Sequence, residues 1–390
     1  MMRRNTPTKI ADMNRSRLSS PLATAAAIAL ACTLSGCKPE ESPECAGCPE
    51  SDLIQANYQP VPYPLVLPAH FPQPIALPDN PLTVDGVELG RRLFYDPILS
   101  ADSSQSCSTC HRQSRSFANP ERVNKGILGL EGSRNAMALI NLGYNPRGFF
   151  WDGRSDTPED LALLPVIDHL EMNDTWENVE RKLQKHPQYP ALFRKAFGIE
   201  RKGDIRRDLA VKAMGQFMRT LISAQSRYDQ VLWERKGFPT DSEQRGLELF
   251  FIEYSQSLDH PGCSHCHFNP FFTDHNFRNN GLTPAPSLDD FPDKGRGAIS
   301  QNKFDNGKFK VPTLRNIALT APYMHDGRFK TLEEVLDHYS SGGHPSGNLD
   351  PNIQRFTLSP QDKQDLIAFL NMLTDTAFVQ NPKFANPFTP

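Results

Sequence analysis

Cys107-Ser-Thr-Cys110-His111 and Cys263-Ser-His-Cys266-His267 decide how this chain is read. Both match C-x-x-C-H. Two cysteines three apart share one turn and can form thioethers to the two vinyl groups of a haem, and the next histidine then points its ring at the iron as proximal ligand. A zinc knuckle or a redox dithiol would leave the histidine unexplained each time. The spacing predicts two covalent c-type haems, one on Cys107, Cys110 and His111 and one on Cys263, Cys266 and His267.

The two motifs share a frame. Gly90-x-x-Leu93-Phe94 begins 17 residues before Cys107, and Gly246-x-x-Leu249-Phe250 begins 17 before Cys263, a constant offset of 156. That register reads as an internal duplication. In each copy a helix carrying Leu-Phe packs against the haem it precedes. Apolar positions at helical spacing (Leu209, Ala213, Phe217, Leu221) predict one long helix over 204–233 that closes the first domain. Ser359-Pro360-x-Asp362 reads as an N-cap with proline at the first helical position, opening a helix that runs through Leu373. Thr331-x-x-Glu334 reads as a capping box opening the helix that contains Tyr339. No run of alternating strands is visible. The expected fold is mostly α, two cytochrome c-like domains over 82–237 and 238–390.

Length and composition agree. The 390 residues are enough for about two domains, and 38% apolar residues supply a packed core. The chain carries a net −3. Residues 1–36 hold five basic groups against Asp12, a net of +4, which leaves the remainder at −7. That excess of acid argues against a nucleic-acid partner held through phosphates.

The N-terminus reads as an export signal. Basic residues precede an apolar stretch from Pro21 to Leu34, and Leu34-Ser35-Gly36-Cys37 follows. The ending resembles a bacterial lipobox with Cys37 as the lipidated residue; the alternative is an ordinary signal with a chance cysteine. Met13 is a second possible start. Lys38 after the cysteine favours the outer membrane by analogy with lipoprotein sorting, with acyl chains as the only membrane contact. Residues 37–81 read as a tether, because prolines at 60, 62, 64, 68, 72, 74, 78 and 81 exclude a regular helix. Cys45-Ala-Gly-Cys48 within it lacks a following histidine and reads as a small disulfide loop.

Four strings carry a wider resemblance: LGRRLFYDPILS (89–100), FFWDGR (149–154), PVIDHLEM (165–172) and VPTLRNIALTAPYMHDGR (311–328). With them the chain resembles, over about residues 83–375, the bacterial dihaem cytochrome c peroxidase family, which includes MauG. The resemblance implies that Trp151 lies between the two haems as the bridge for electron transfer. It implies that Glu171 stands above the peroxide-binding iron, where a carboxylate can take the proton from the near oxygen of H₂O₂ and return it to the far one. Pro165 matches the same distal wall. Leu161 stands where the family often has a glutamine, so part of the usual distal hydrogen bonding is missing. Bald readings of the same residues are a core tryptophan beside an Asp-Gly turn and a surface glutamate in a polar loop.

Members that need reductive activation carry a blocking histidine between the first haem motif and the tryptophan. Residues 112–150 contain none, which predicts a first iron open to peroxide; Met137 is a substitute ligand without motif support. At the second haem the family's classical methionine falls fourteen residues after the histidine of PYxH. Counting from His325 gives Tyr339 instead, as in the MauG-like branch. Met324 is the rival ligand, and Tyr339 as a plain core aromatic is the other alternative. The resemblance also implies a calcium ion held by the Asn135 side chain and the carbonyls of Thr320 and Pro322, an oxygen-only set that suits a hard cation.

The reading is a periplasm-facing peroxidase that reduces H₂O₂ at the first haem with electrons from a small cytochrome c or cupredoxin. One alternative is a MauG-like enzyme that oxidises residues of a partner protein. Another is a dihaem electron-transfer cytochrome without turnover, against which Glu171 and the open iron both speak.

Overall fold

The computed structural model describes residue 53 and residues 58–252 and 261–388. The export signal, Cys37, Cys45 and Cys48 lie outside the described residues. The architecture is mostly helical, with one antiparallel pair of two-residue strands, Phe277–Arg278 against Phe309–Lys310.

The duplication is visible as repeated packing. In the first copy the helix Val84–Tyr95 starts at Thr83, whose hydroxyl accepts from the Gly86 N–H. It crosses the helix Arg207–Thr220 at Gly90, where a Cβ would overlap the carbonyl oxygen of Ala213. In the second copy the helix Asp241–Phe251, opened by a Thr240/Glu243 capping box, crosses the helix Pro360–Met372 at Gly246. There a Cβ would overlap the carbonyl of Asp365. Only a residue without a side chain lets two helix backbones approach so closely. The next turn of each helix delivers its phenylalanine to the same kind of ring cluster. Phe94 meets Phe117 and Phe217 at 5.8 and 5.4 Å, and Phe250 meets Phe272 and Phe369 at 6.0 and 4.8 Å. All six rings are buried.

A third repeated feature joins the halves, and sequence reasoning missed it. Asn141 and Asn316 both sit in the left-handed region, at φ 55° and 61°. The Asn141 N–H donates to the Leu221 carbonyl, and its Oδ1 accepts from the Ser223 N–H. The Asn316 N–H donates to the Leu373 carbonyl, and its Oδ1 accepts from the Asp375 N–H. The two arrangements then interlock. The Asp375 carboxylate accepts from the Ser223 hydroxyl and from the N–H groups of Ala224 and Gln225, and the Asn316 amide donates to Ser223 and Ser116. The shared Leu-x-Asn at 139–141 and 314–316 is the signal that could have found this pair.

The same network corrects the predicted helix over 204–233. It is two helices, Arg207–Thr220 and Arg227–Leu232. Asn141 and Asp375 take the backbone groups of 221–225 that a continuous helix would use, so the chain runs extended there. The other two predicted helices form as read, Pro360–Met372 from a Ser359/Asp362 capping box and Leu332–Ser340 from Thr331/Glu334.

Among its described residues the proline-rich segment carries no helix, and from residue 58 it is packed against the body. Tyr58 donates to the Ala196 carbonyl, and the Ile75 N–H to the Gly143 carbonyl. Phe71 is buried between Tyr144 and Phe271. At the other end Phe378 and Phe384 join the core that holds Phe94 and Phe117 in the first half.

Candidate functional site

Cys107–Cys110 forms a single helical turn, with His111 at its end. The His111 Nδ1 lies 2.7 Å from the Phe117 carbonyl, and the His267 Nδ1 lies 2.9 Å from the Phe272 carbonyl. A carbonyl only accepts, so Nδ1 carries the proton in both rings and Nε2 is left with a free lone pair. Burial lowers the pKa of both imidazoles, which keeps them neutral. A neutral imidazole oriented through its other nitrogen is the form that binds a metal. Both accepting residues are left-handed, Phe117 at φ 58° and Phe272 at 53°. The turn that presents the ligand is therefore itself duplicated.

The four cysteines are not joined in disulfides. Burial pushes the Cys107 and Cys263 thiols up to about 12 and those of Cys110 and Cys266 up to about 11. A neutral thioether sulfur sits in such apolar surroundings without penalty. Among the described residues no group of three or more His, Cys, Asp or Glu is placed to hold a metal ion. Beside the second motif lies a cavity of about 240 Å³, lined by Cys263, Cys266, His267, Met324 and Tyr339 together with apolar side chains such as Leu336 and Leu370. Two thiols, an imidazole with a free Nε2 and apolar walls fit a covalently attached haem.

Trp151 lines this same cavity and sits at the tip of a tight loop closed by the Phe149 N–H donating to the Ser155 carbonyl at 2.7 Å. Its indole donates to the Asn135 carbonyl at 2.8 Å, and its own carbonyl accepts from the Lys310 N–H at 2.8 Å. Asp152, next in the chain, is held by Arg134 at 2.6 Å and by Arg154 at 3.2 Å. The indole is thus fixed from both halves of the molecule.

Glu171 belongs to the first motif. Its carboxylate acts on both the Cys107 and the Cys110 thiols, raising their pKa values. Its backbone is pinned by the Ile127 N–H, which donates to the Glu171 carbonyl at 3.0 Å, and Gly126 passes so close that a Cβ would overlap the Leu170 carbonyl. Burial, then the Asp168 charge, pushes the Glu171 carboxyl up to about 7, against the pull of Arg154. A carboxyl poised near neutrality can both accept and return a proton. Pro165 lies within the helix Pro158–Ile167, its carbonyl accepting from the Met172 N–H, and Leu161 on the same helix is buried. Met137 is a wall residue of the second cavity, and its carbonyl reaches the His111 ring.

Tyr339 and Met324 come together, as the two competing readings require. The Asn280 side-chain N–H₂, which sequence reasoning missed, reaches the Tyr339 hydroxyl at 3.3 Å and the Met324 sulfur at 3.5 Å. Burial pushes the Tyr339 phenol up to about 12. Asn135, Thr320 and Pro322 all line the second cavity. The Asn135 Nδ2 donates to the carbonyls of Glu121 and Arg122, which fixes the amide's orientation.

Comparison with known proteins agrees with this geometry. The family profile described as di-haem cytochrome c peroxidase matches residues 84–237. The methylamine utilization protein MauG of Methylorubrum extorquens is 36% identical over 315 residues, covering 79% of this chain and 84% of that protein. Cytochrome c551 peroxidase of Nitrosomonas europaea is 32% identical, covering 80% of this chain and 85% of its own. Among solved structures, a MauG-like protein associated with microbial copper homeostasis superposes with a TM-score of 0.75 at 33% identity, covering 83% of this chain and 99% of that one.

Proposed function

This chain belongs to the di-haem cytochrome c peroxidase family of peroxidase-type oxidoreductases, which carry two c-type haems, and from that premise we propose that it reduces H₂O₂ at the His111 haem with electrons delivered through the His267 haem. The observation that carries the reading is Glu171, a carboxyl raised to about 7 beside the first haem motif. The haems, when bound, supply one-electron redox chemistry and, at His111, an open position for peroxide.

The protein's own groups do the rest. His111 and His267 would hold the haem irons through Nε2, each ring locked by its carbonyl partner. Glu171 takes the proton from the near oxygen of peroxide and hands it to the far oxygen, so that water is the leaving group. Trp151, fixed by Asn135 and Lys310, carries electrons between the two sites. Tyr339 would hold the second haem together with His267, and an anionic phenolate there would favour the higher oxidation states of the iron. Asn135 with the Thr320 and Pro322 carbonyls, which line one cavity, would hold a calcium ion. Residues 82–237 and 238–390 serve as the peroxidatic and electron-transfer domains. The N-terminal signal exports the chain to face the periplasm, anchored through Cys37 in the outer membrane.

The electron source is a small cytochrome c or cupredoxin. A second reading, oxidation of residues on a partner protein, is favoured by Tyr339 and by the likeness to MauG. Steady-state peroxide consumption with reduced cytochrome c tests the proposal. Sustained turnover is expected. Absence of turnover together with a haem spectrum unaltered by peroxide would refute it, and absence of turnover with an altered spectrum would leave the second reading in its place.

A further inference from the structure

We propose that Trp233 is the residue through which a one-electron donor passes electrons towards the His267 haem site, an inference that rests on the peroxidase reading above. The chain has three tryptophans. Trp151 and Trp176 are buried, and Trp233 alone reaches solvent, at 47% exposure. Trp233 ends the short helix Arg227–Leu232, its N–H donating to the Asp229 carbonyl at 3.0 Å.

Behind it runs an unbroken series of contacts. The indole stacks on the His70 ring with centroids 5.2 Å apart and planes 3° from parallel. His70 meets Phe71 at 4.9 Å, and Phe71 meets Phe271 at 4.9 Å. Phe271 is followed in the chain by Phe272, whose carbonyl accepts from the His267 Nδ1 at 2.9 Å. A second route runs alongside. His70 donates through Nε2 to the Asp229 carboxylate at 3.1 Å, and Arg315 grips that carboxylate with two nitrogens at 2.7 and 2.8 Å. The Arg315 guanidinium covers Phe71 at 4.9 Å and Phe272 at 5.7 Å. Both routes end at the residue that orients the axial histidine. Arg315 and Asp229 are fully buried, so the series is held rigid. A stacked, packed path of this kind couples two redox centres better than a gap filled with water.

The chemistry balances. Reduction of H₂O₂ to two molecules of water takes two electrons and two protons. Trp233 gives up one electron towards the haems and its indole proton to solvent. An external one-electron donor then returns an electron, and solvent a proton, to the neutral indole radical. Two such passages complete one peroxide. With no donor present, the indole gives up a second electron along the same path and takes up water at the ring with loss of a proton, leaving hydroxytryptophan, so that one H₂O₂ accepts both electrons and both protons and becomes two molecules of water.

The test uses the holoprotein with stoichiometric H₂O₂ and no donor, in wild type, Trp233→Phe and Trp233→Tyr. Peptide mass spectrometry should find oxygen adducts on Trp233. They should vanish when cyanide occupies the open haem position. The oxidised haem spectrum should persist several-fold longer in Trp233→Phe and return to the wild-type lifetime in Trp233→Tyr. Adducts that form equally with cyanide would mean bulk oxidation of an exposed ring and would overturn the proposal. So would an unmodified Trp233 with equal lifetimes in wild type and Trp233→Phe, provided peroxide still alters the haem spectrum. A haem spectrum that peroxide leaves unaltered would instead remove the peroxidase reading, and this inference with it.

Discussion

Replacing Glu171 with glutamine keeps the shape of the side chain and removes its ability to carry a proton back and forth. Burial and Asp168 lift this carboxyl from an ordinary 4.5 to about 7. A group titrating there is about one-tenth ionised at pH 6 and about nine-tenths at pH 8. Since the carboxylate is the form that accepts the first proton, peroxide cleavage by the wild type should rise about tenfold across that interval. The glutamine variant should be flat and slower by about 10²-fold or more. Stability should move the other way. A raised pKa means the fold favours the protonated form: stability is full below about 4.5 and falls as pH climbs through about 7. At about 1.4 kcal/mol per unit the loss approaches about 3 kcal/mol, and partial contact with solvent brings it to about 1–2 kcal/mol. Glu171→Gln should therefore be the more stable protein at pH 8 and gain nothing at pH 4. Stopped-flow absorbance after mixing with peroxide measures the first effect, and urea unfolding at the two pH values the second. A wild-type rate that does not change between pH 6 and pH 8, or a glutamine variant as fast as wild type, would remove Glu171 from the mechanism.

Gly246→Ala should destabilise the protein by about 2 kcal/mol. The overlap with the Asp365 carbonyl forces two helix backbones apart, at about 3 kcal/mol or slightly less, and outweighs the roughly 1 kcal/mol that alanine gains in a helix. Gly203→Ala, with nothing within 4 Å of the new Cβ, is the control that should leave the unfolding midpoint in place. At the second haem, Tyr339→Phe should convert the iron to high spin and Met324→Leu should not. If magnetic circular dichroism shows the reverse, the tyrosine is only a core aromatic sharing Asn280 with the true ligand.

Much of this was legible because a short string in constant register marks each copy. C-x-x-C-H with its own upstream Gly-x-x-Leu-Phe marked the duplication and the two helices that carry it, but not that their glycines are where helix backbones cross. Capping boxes at Thr331 and Ser359 fixed two helix starts for the same reason, short-range hydrogen bonding between residues three apart. What escaped was long-range and polar. The break after Thr220 depends on Asp375, more than 150 residues away, taking the Ser223 hydroxyl and the N–H groups of Ala224 and Gln225, and helical periodicity of the apolar residues runs on through it. Asn280 was invisible because an asparagine in a loop has no spacing to betray it. From residue 58 the prolines foretold the lack of helix but hid the packing, since Tyr58, His70 and Phe71 find partners on distant elements.

The central claim is that the first iron is open to peroxide while the second is closed by a protein ligand. Electron paramagnetic resonance of the diferric protein as isolated tests it directly. The account predicts one high-spin signal, from the His111 haem, and one low-spin signal, from the His267 haem. Two low-spin signals would mean that a side chain blocks the first iron, and the peroxide site drawn around Glu171 would be wrong.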